Sequence, residues 1–483
     1  MRRGQRRSQN PHRSLLGLGR RTRAAARTRV ALSAPAPKTK NWVRPPTGER
    51  AHGPAKRLQR YSGKLTSLRL LIHSRSLESI GTKPMRRAAI VSPIRTGVGK
   101  YLGALSAFNA EDLGALVIKS LIERTGVDPS RIEEVVFAQG YPSGEAPCIG
   151  RWAALAADLP LEVSGTQVDR RCGSGVQAIA NAAMMVQTGV ADVVIAGGAE
   201  SMSNVEYYTT SMRQGQKGGA VTLHDRLERG RVRSQPESRF GHISGMIETA
   251  ENLATEYQIS REDADGFACQ SQQRAAAAWS EGKFNNHLVP IDIPQRKGDP
   301  IPFAQDEGVR GDTSMASLAM LRPIMGDGVV TAGNASQQND AAAACLVVAE
   351  DQLEALGLTP SAFLVGWAAS GCHPATMGIG PVPAVKKLFD RTGLSFSDMD
   401  LVELNEAFAC QVLAVLKGWG WHDPDKLNVN GSGISLGHPI GATGGRILAD
   451  MLAELHRRQG RYALETMCIG GGQGIAAIFE RAA

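Results

Sequence analysis

From residue 88 onward, short apolar runs rich in β-branched residues alternate with Ala-rich stretches whose apolar positions recur at helical spacing. The runs predict strands at 88–91, 134–138, 193–196, 345–349, 402–404 and 427–429. The stretches between them predict helices at 113–123, 175–187, 382–391 and 443–457. Strands alternating with helices imply an α/β protein with a parallel or mixed sheet. Residues 204–330 break the rhythm with more charge, more Gly and Pro and several short helical pieces, and they read as an inserted subdomain.

The pattern also recurs within the chain. Val168-Asp169-Arg170-Arg171-Cys172-Gly173-Ser174-Gly175 introduces a small-residue helix, followed by the strand and glycine turn Val193-Val194-Ile195-Ala196-Gly197-Gly198. Val429-Asn430-Gly431-Ser432-Gly433 leads toward another such helix, followed by Thr466-Met467-Cys468-Ile469-Gly470-Gly471-Gly472. This self-similarity predicts two related α/β lobes packed together.

Composition narrows the class. A chain of 483 residues, 42% hydrophobic and 21% charged, suits a soluble globular enzyme of two lobes plus insertions. Its longest apolar run, the nine residues 341–349, falls well short of the ~18–20 that a bilayer-spanning helix needs. The net charge of +9 is unevenly placed. Residues 1–84 carry 21 Lys plus Arg against two acids, Glu49 and Glu78, a balance of +19; the remainder carries 34 bases against 44 acids, a balance of −10. An acidic body loses most of the electrostatic case for binding nucleic acid. The seven cysteines, Cys148, Cys172, Cys269, Cys345, Cys372, Cys410 and Cys468, are odd in number, scattered and without a C-x-x-C pair. That argues against a disulfide framework or a structural zinc site, and for thiols in a reducing compartment.

Residues 1–84 are rich in Arg, Ser and Pro, with periodicity only around 65–77, and are expected to form a basic disordered extension. Three readings stand: translation starting at Met85, a mitochondrial transit peptide, or an arm that attracts phosphate. The expected location is the cytoplasm, or the mitochondrial matrix if the extension is a transit peptide.

Candidate chemistry gathers at four places. Cys172 precedes Gly173-Ser174-Gly175 and a helix expected to begin near Val176, where the helix dipole and unpaired N–H groups favour a thiolate. The alternative is a small buried cysteine in a tight turn. His438 sits in the rigid Gly437-His438-Pro439-Ile440-Gly441 loop, where an imidazole can accept a proton or polarise a carbonyl. Cys468 precedes the glycine turn Gly470-Gly471-Gly472, which permits close approach of a ligand to the backbone. Asn405, in Asn405-Glu406-Ala407-Phe408-Ala409, is either a helix N-cap or the holder of a water in an oxyanion site.

Together these stretches resemble the thiolase family, the acyl-CoA C-acyltransferases. The resemblance also covers Gly197-Gly198-Ala199-Glu200-Ser201-Met202-Ser203 and Thr331-Ala332-Gly333-Asn334-Ala335-Ser336, in the family's order, across everything from Met85 to the end. It implies a thiolase fold with two related lobes in αβαβα layers, at 85–203 with 331–350 and at 351–483, and a coenzyme A-binding loop subdomain at 204–330. It further implies reversible cleavage of 3-ketoacyl-CoA, or condensation of two acetyl-CoA, without metal or redox cofactor. Cys172 would be the acylated nucleophile, His438 its base and Cys468 the second acid/base. Asn405 would hold a water that forms one oxyanion site together with His438, and the N–H groups of Cys172 and Gly470 would form the other. Arg310 would meet the adenine end of coenzyme A, Ser317 and Ser336 the pantetheine arm, and Met246, Met377 and Phe408 the acyl pocket. The implied assembly is a homodimer or homotetramer.

Two departures stand out. Many short-chain members carry His-Met where this chain reads Gly245-Met246, which leaves a different environment around the thioester carbonyl. Ala341 follows Asp340 where glycine is common, a change expected to matter little. Two other functions compete: a decarboxylating 3-ketoacyl synthase, which would need a second histidine that the Cys468 segment lacks, and a non-catalytic scaffold of the same shape, which would have no need of Cys172, Asn405, His438 and Cys468.

Overall fold

The computed structural model describes residues 85–483; the basic extension 1–84 and the three readings of it lie outside the described residues. Nine principal strands are β1 Ala88–Thr96, β2 Glu134–Ala138, β3 Ser164–Val168, β4 Val193–Ser201, β5 Asn339–Ala349, β6 Ala362–Gly371, β7 Leu401–Leu404, β8 Tyr462–Ile469 and β9 Gln473–Arg481. They run in the order β7-β8-β9-β6-β1-β5-β4-β2-β3, with two short strands beside β5 and β1. The helices that matter here are α1 Ala110–Thr125, α2 Ile149–Ala156, α3 Ser174–Gln187, α4 Arg226–Val232, α5 Met246–Glu256, α6 Arg261–Ser280, α7 Pro381–Thr392, α8 Ala409–Trp419 and α9 Thr443–Arg457.

The internal repeat is visible in the pairing. In the first half β1 is antiparallel to β5, β5 antiparallel to β4 and β4 parallel to β2. In the second, β6 is antiparallel to β9, β9 antiparallel to β8 and β8 parallel to β7. The halves join where β1 meets β6. In each half a small-residue helix, α3 or α9, precedes the matching strand, β4 or β8.

Strand alternation builds the layers. Along β1, Ala89 and Val91 face a core shared with α1 and α2, whereas Ala88 and Ile90 face a core shared with α3 and α9. Along β8, Ala463 and Met467 join that same middle core, and Leu464 turns to a third core with α7 and α8. The result is α1/α2, sheet, α3/α9, sheet and α7/α8, the αβαβα order expected. Local signals set the helix ends. Asn109 and Asp112 form a capping box at the start of α1, Gly126 closes it in the left-handed region at φ +64°, and Ser260 with Asp263 caps α6 in the same way.

Three expectations need correction. Residues 427–429 form no strand; Leu427 makes a single bridge to Val402. The 204–330 region, read as several short helical pieces, also holds α6, which runs for 20 residues on its capping box. The strand expected at 345–349 begins six residues earlier, because Ala341–Ala344 are paired with β1 or β4 and buried, and this outweighs the helical preference of alanine.

Candidate active site

The elements that carry the chemistry converge because α3 and α9 begin side by side. A Cβ on Gly175 would lie 2.8 Å from the Gly444 nitrogen and one on Gly173 2.6 Å from Ile469 Cδ1, so only glycine lets the turns pack this closely. Cys172 sits in a 3-10 turn, Arg171–Gly173, directly ahead of α3. Arg171 adopts a left-handed φ of +47°. Its N–H donates to Asp169, and Ser174 Oγ accepts from the Arg170 N–H at 2.7 Å while donating to the Arg171 carbonyl at 2.6 Å. The turn is held by its own side chains.

Cys172, His438 and Gly470 open onto one cavity of about 660 Å³. Met246, Met377, Phe408, Ser336 and Arg310 also line it, as the sequence led us to expect. Ser317 does not: it is exposed in the short helix Met315–Ala319, exchanging hydrogen bonds with Ser314. Cys468 and Asn405 are fully buried behind the cavity wall rather than part of it. Cys468 lies among Met377, Ala407 and Phe408, close enough to Cys172 and Cys372 that both thiols act on its ionisation. Asn405 is no N-cap; α8 starts four residues later, with Phe408 at the cap position.

The histidine is fixed by residues the sequence did not single out. Its backbone N–H donates to Asn339 Oδ1 at 2.9 Å, and its Nδ1 lies 2.7 Å from Thr443 Oγ1. The Thr443 hydroxyl donates to the Pro439 carbonyl at 3.0 Å, so its oxygen accepts from Nδ1–H. This assignment leaves Nε2 as the bare acceptor, and Nε2 is buried without a protein partner. Asn405 Nδ2 stands 3.4 Å from the same ring, with its Oδ1 likewise unpartnered. Two buried acceptors without a protein partner, Nε2 and Oδ1, call for donors from a bound molecule rather than a packing role. Glu200 was quoted only as part of a motif, yet it accepts from Gly140, Tyr141 and Gly441 N–H groups at 2.8, 3.3 and 2.9 Å, bracing the histidine loop.

Burial governs the electrostatics. It drives the His438 imidazole down to about 3, helped by the Arg446 cation, so the ring is neutral at physiological pH. It also pushes the Cys172 thiol above its ordinary value, against the opposing pull of the Gly470 N–H, Arg171 and its own N–H. The expectation that the helix terminus would stabilise a thiolate is therefore corrected: the N–H groups point the right way, but desolvation wins. Cys468 is raised well above the usual thiol range. Glu200 is pushed up to about 7 by burial, partly offset by its three N–H donors.

The described residues match the family models for the thiolase N-terminal domain, over residues 88–351, and the thiolase C-terminal domain, over 358–481. The chain is 46% identical over 394 residues to an acetyl-CoA acetyltransferase of Chromobacterium violaceum, a match covering 81% of this chain and 99% of the relative. It is 46% identical over 399 residues to a beta-ketothiolase of Cupriavidus necator, covering 82% and 99%. Its structure superposes on human mitochondrial 3-ketoacyl-CoA thiolase in complex with CoA with a TM-score of 0.77 at 40% identity, over 83% of this chain and 99% of the other.

Proposed function

The chain belongs to the thiolase family, and we propose how its residues divide the work of that reaction. It is an acyl-CoA C-acyltransferase: it cleaves 3-ketoacyl-CoA with coenzyme A to acetyl-CoA and a shortened acyl-CoA, or runs backwards to join two acetyl-CoA. In cleavage, His438 Nε2 takes the Cys172 proton as the sulfur attacks the 3-keto carbon. The C2–C3 bond breaks, its electron pair forming the enolate of acetyl-CoA, and Cys468 gives that enolate its proton. Coenzyme A then gives its thiol proton to Cys468 and takes the acyl group, and Cys172 recovers its proton from His438. Bonds and protons balance without a metal or redox carrier.

Neutral His438 suits this role, because a thiol kept protonated by burial needs an acceptor rather than a cation beside it. Once protonated, Nε2 turns from acceptor to donor, and together with a water held by Asn405 it would meet a carbonyl oxygen. The N–H groups of Cys172 and Gly470 serve the second oxyanion. Arg310 and Ser336 line the cavity that would receive coenzyme A, and Ser317 would reach it only if the short helix carrying it shifts. The lobe limits 85–203 with 331–350 and 351–483, the coenzyme A-binding role of 204–330 and a homodimeric or homotetrameric assembly belong to the same proposal. So does a reducing compartment, cytoplasm or mitochondrial matrix, supported by seven free thiols.

The observation that carries the assignment is the opening of Cys172, His438 and Gly470 onto one cavity, with Cys468 buried near enough to Cys172 to feel its charge. Thiolysis of acetoacetyl-CoA by the full chain, beside Cys172→Ala, tests it. Activity lost only in the variant supports the assignment, and activity retained there refutes it.

A further inference from the structure

A chain of contacts runs from the nucleophile to its base through one buried carboxylate that takes no part in the chemistry of cleavage. Arg171, the residue before Cys172, donates from Nη1 to the Gly140 carbonyl at 2.9 Å. The Gly140 N–H donates to Glu200 Oε2 at 2.8 Å. The same oxygen accepts from the N–H of Gly441, in the His438 loop, at 2.9 Å. Glu200 Oε1 accepts from the Tyr141 N–H at 3.3 Å. Glu200, on β4, is fully buried, and so are the three residues that donate to it.

Side chains cannot tie these loops together, because glycine occupies the points of contact. A Cβ on Gly441 would lie 2.5 Å from the Ala199 carbonyl oxygen, and one on Gly198 2.2 Å from the Gly441 carbonyl oxygen. A Cβ on Gly140 would lie 2.2 Å from Ile440 Cγ2. Backbone meets backbone here, so the buried N–H groups need an acceptor, and Glu200 supplies one to three of them at once. An ionised carboxylate can accept from all three. A protonated one turns an oxygen into a donor and loses part of that capacity.

Resting on the thiolase reading, we infer that Glu200 is a positioning residue: ionised, it clamps the Gly140 turn to the His438 loop and so holds the imidazole in line with Cys172, and protonated it lets that junction loosen. Burial, with Asp169 adding to it, pushes the Glu200 carboxyl up to about 7 against the pull of its three N–H donors, so the clamp switches near neutrality. Other ionisable groups turned toward it are Arg171, which holds the Gly140 carbonyl, and Cys172 and Tyr141, whose ionisation its charge opposes. β5 places the neutral Ala341 opposite, and His438, lowered to about 3, stays neutral through the same range.

The test is kcat for thiolysis of acetoacetyl-CoA by the full chain, in the parent and Glu200→Gln, from roughly pH 5.5 to 8.5. Each rate is divided by the share of Cys172 that iodoacetamide labels. The parent kcat should rise through about pH 7 on the loss of one proton, with KM little changed. The amide keeps the shape but must turn its NH2 on at least one N–H donor, so kcat should fall roughly tenfold and lose the inflection. A parent profile flat across neutrality, or an inflection that survives in Glu200→Gln, overturns the inference while leaving the thiolase reading intact. A smaller labelled share with kcat per site unchanged assigns Glu200 to folding alone and overturns it too. Thiolysis absent at every pH overturns the thiolase reading and this inference with it.

A second measurement needs neither a variant nor turnover: hydrogen exchange of the parent at about pH 6 and about pH 8, corrected for the intrinsic rate. Peptides spanning 139–141 and 438–443 should be several-fold better protected at the higher pH, and equal protection contradicts the clamp.

Discussion

Gly175 and Gly444 face each other across the N-termini of α3 and α9, with the would-be Cβ of one 2.8 Å from the nitrogen of the other. The first helix follows Cys172 and the second follows the His438 loop, so this contact sets how near the thiol and imidazole stand. Gly175→Ala should therefore cost about 1–3 kcal/mol in chemical denaturation, as overpacking does, and should lower kcat. A variant as stable and as active as the parent would show that the helix ends have room to spare.

Thr443 sets which nitrogen of His438 carries the proton, since its hydroxyl donates to Pro439 and accepts from Nδ1. Thr443→Val keeps the shape and removes the acceptor. About one hydrogen bond is lost, so kcat for thiolysis should fall roughly tenfold, ~1.4 kcal/mol, with KM little changed. An unchanged kcat would mean that the ring holds its tautomer without the hydroxyl.

The pH dependence follows from the two burial shifts. A thiol whose pKa is raised yields thiolate only at alkaline pH, so the rate of Cys172 alkylation by iodoacetamide in the free enzyme should climb through and beyond pH ~8.5. An imidazole lowered to about 3 is neutral at every pH above that value, so no inflection is expected near 6.5. A plateau reached below pH 7 would indicate a thiolate–imidazolium pair instead and would contradict the neutral pairing.

Asp450 on α9 gathers three donors: Arg95 Nε at 2.7 Å, His287 Nε2 at 2.8 Å and Arg446 Nη1 at 3.1 Å. Although burial works against the ionised form, these donors hold its carboxyl below the ordinary range. Its stabilising contribution is therefore complete above the unfolded-state value of ~3.9 and declines as pH falls through the folded one. Asp450→Asn leaves buried cations short of a partner and should cost about 3–5 kcal/mol near neutrality, measured by denaturant titration. The gap from the parent should narrow below pH ~4. A gap that widens there would reverse the sign of the coupling.

Much of the fold was legible because pattern and burial agree. The helix at 443–457 and the strand at 134–138 lie where the apolar spacing puts them, and the repeated passages around Cys172 and Cys468 mark the two lobes. β6 went unread because Gly366 and Gly371 interrupt it, and its ten residues are held by pairing with β9 and β1. Residues 427–429 look like a strand but only bridge Val402, because the backbone turns at Asn428, whose φ is +44°. In the site, Cys172, His438, Asn405 and Cys468 were readable from their glycine-rich or motif settings. Thr443 and Asn339 were not, since each reaches its partner across a sequence gap or a loop that periodicity cannot close. The state of the Cys172 thiol was misjudged for a related reason: the helix terminus is visible in sequence, whereas the burial that outweighs it depends on how both lobes pack.

The most direct measurement is acyl trapping. The full chain is incubated with acetyl-CoA, digested and examined by mass spectrometry, with Cys172→Ala alongside. The expected result is one acetyl group on the peptide containing Cys172, discharged by added coenzyme A and absent from the variant. An acetyl group on any other cysteine, or thiolysis that persists in Cys172→Ala, would contradict the assignment of Cys172 as the nucleophile.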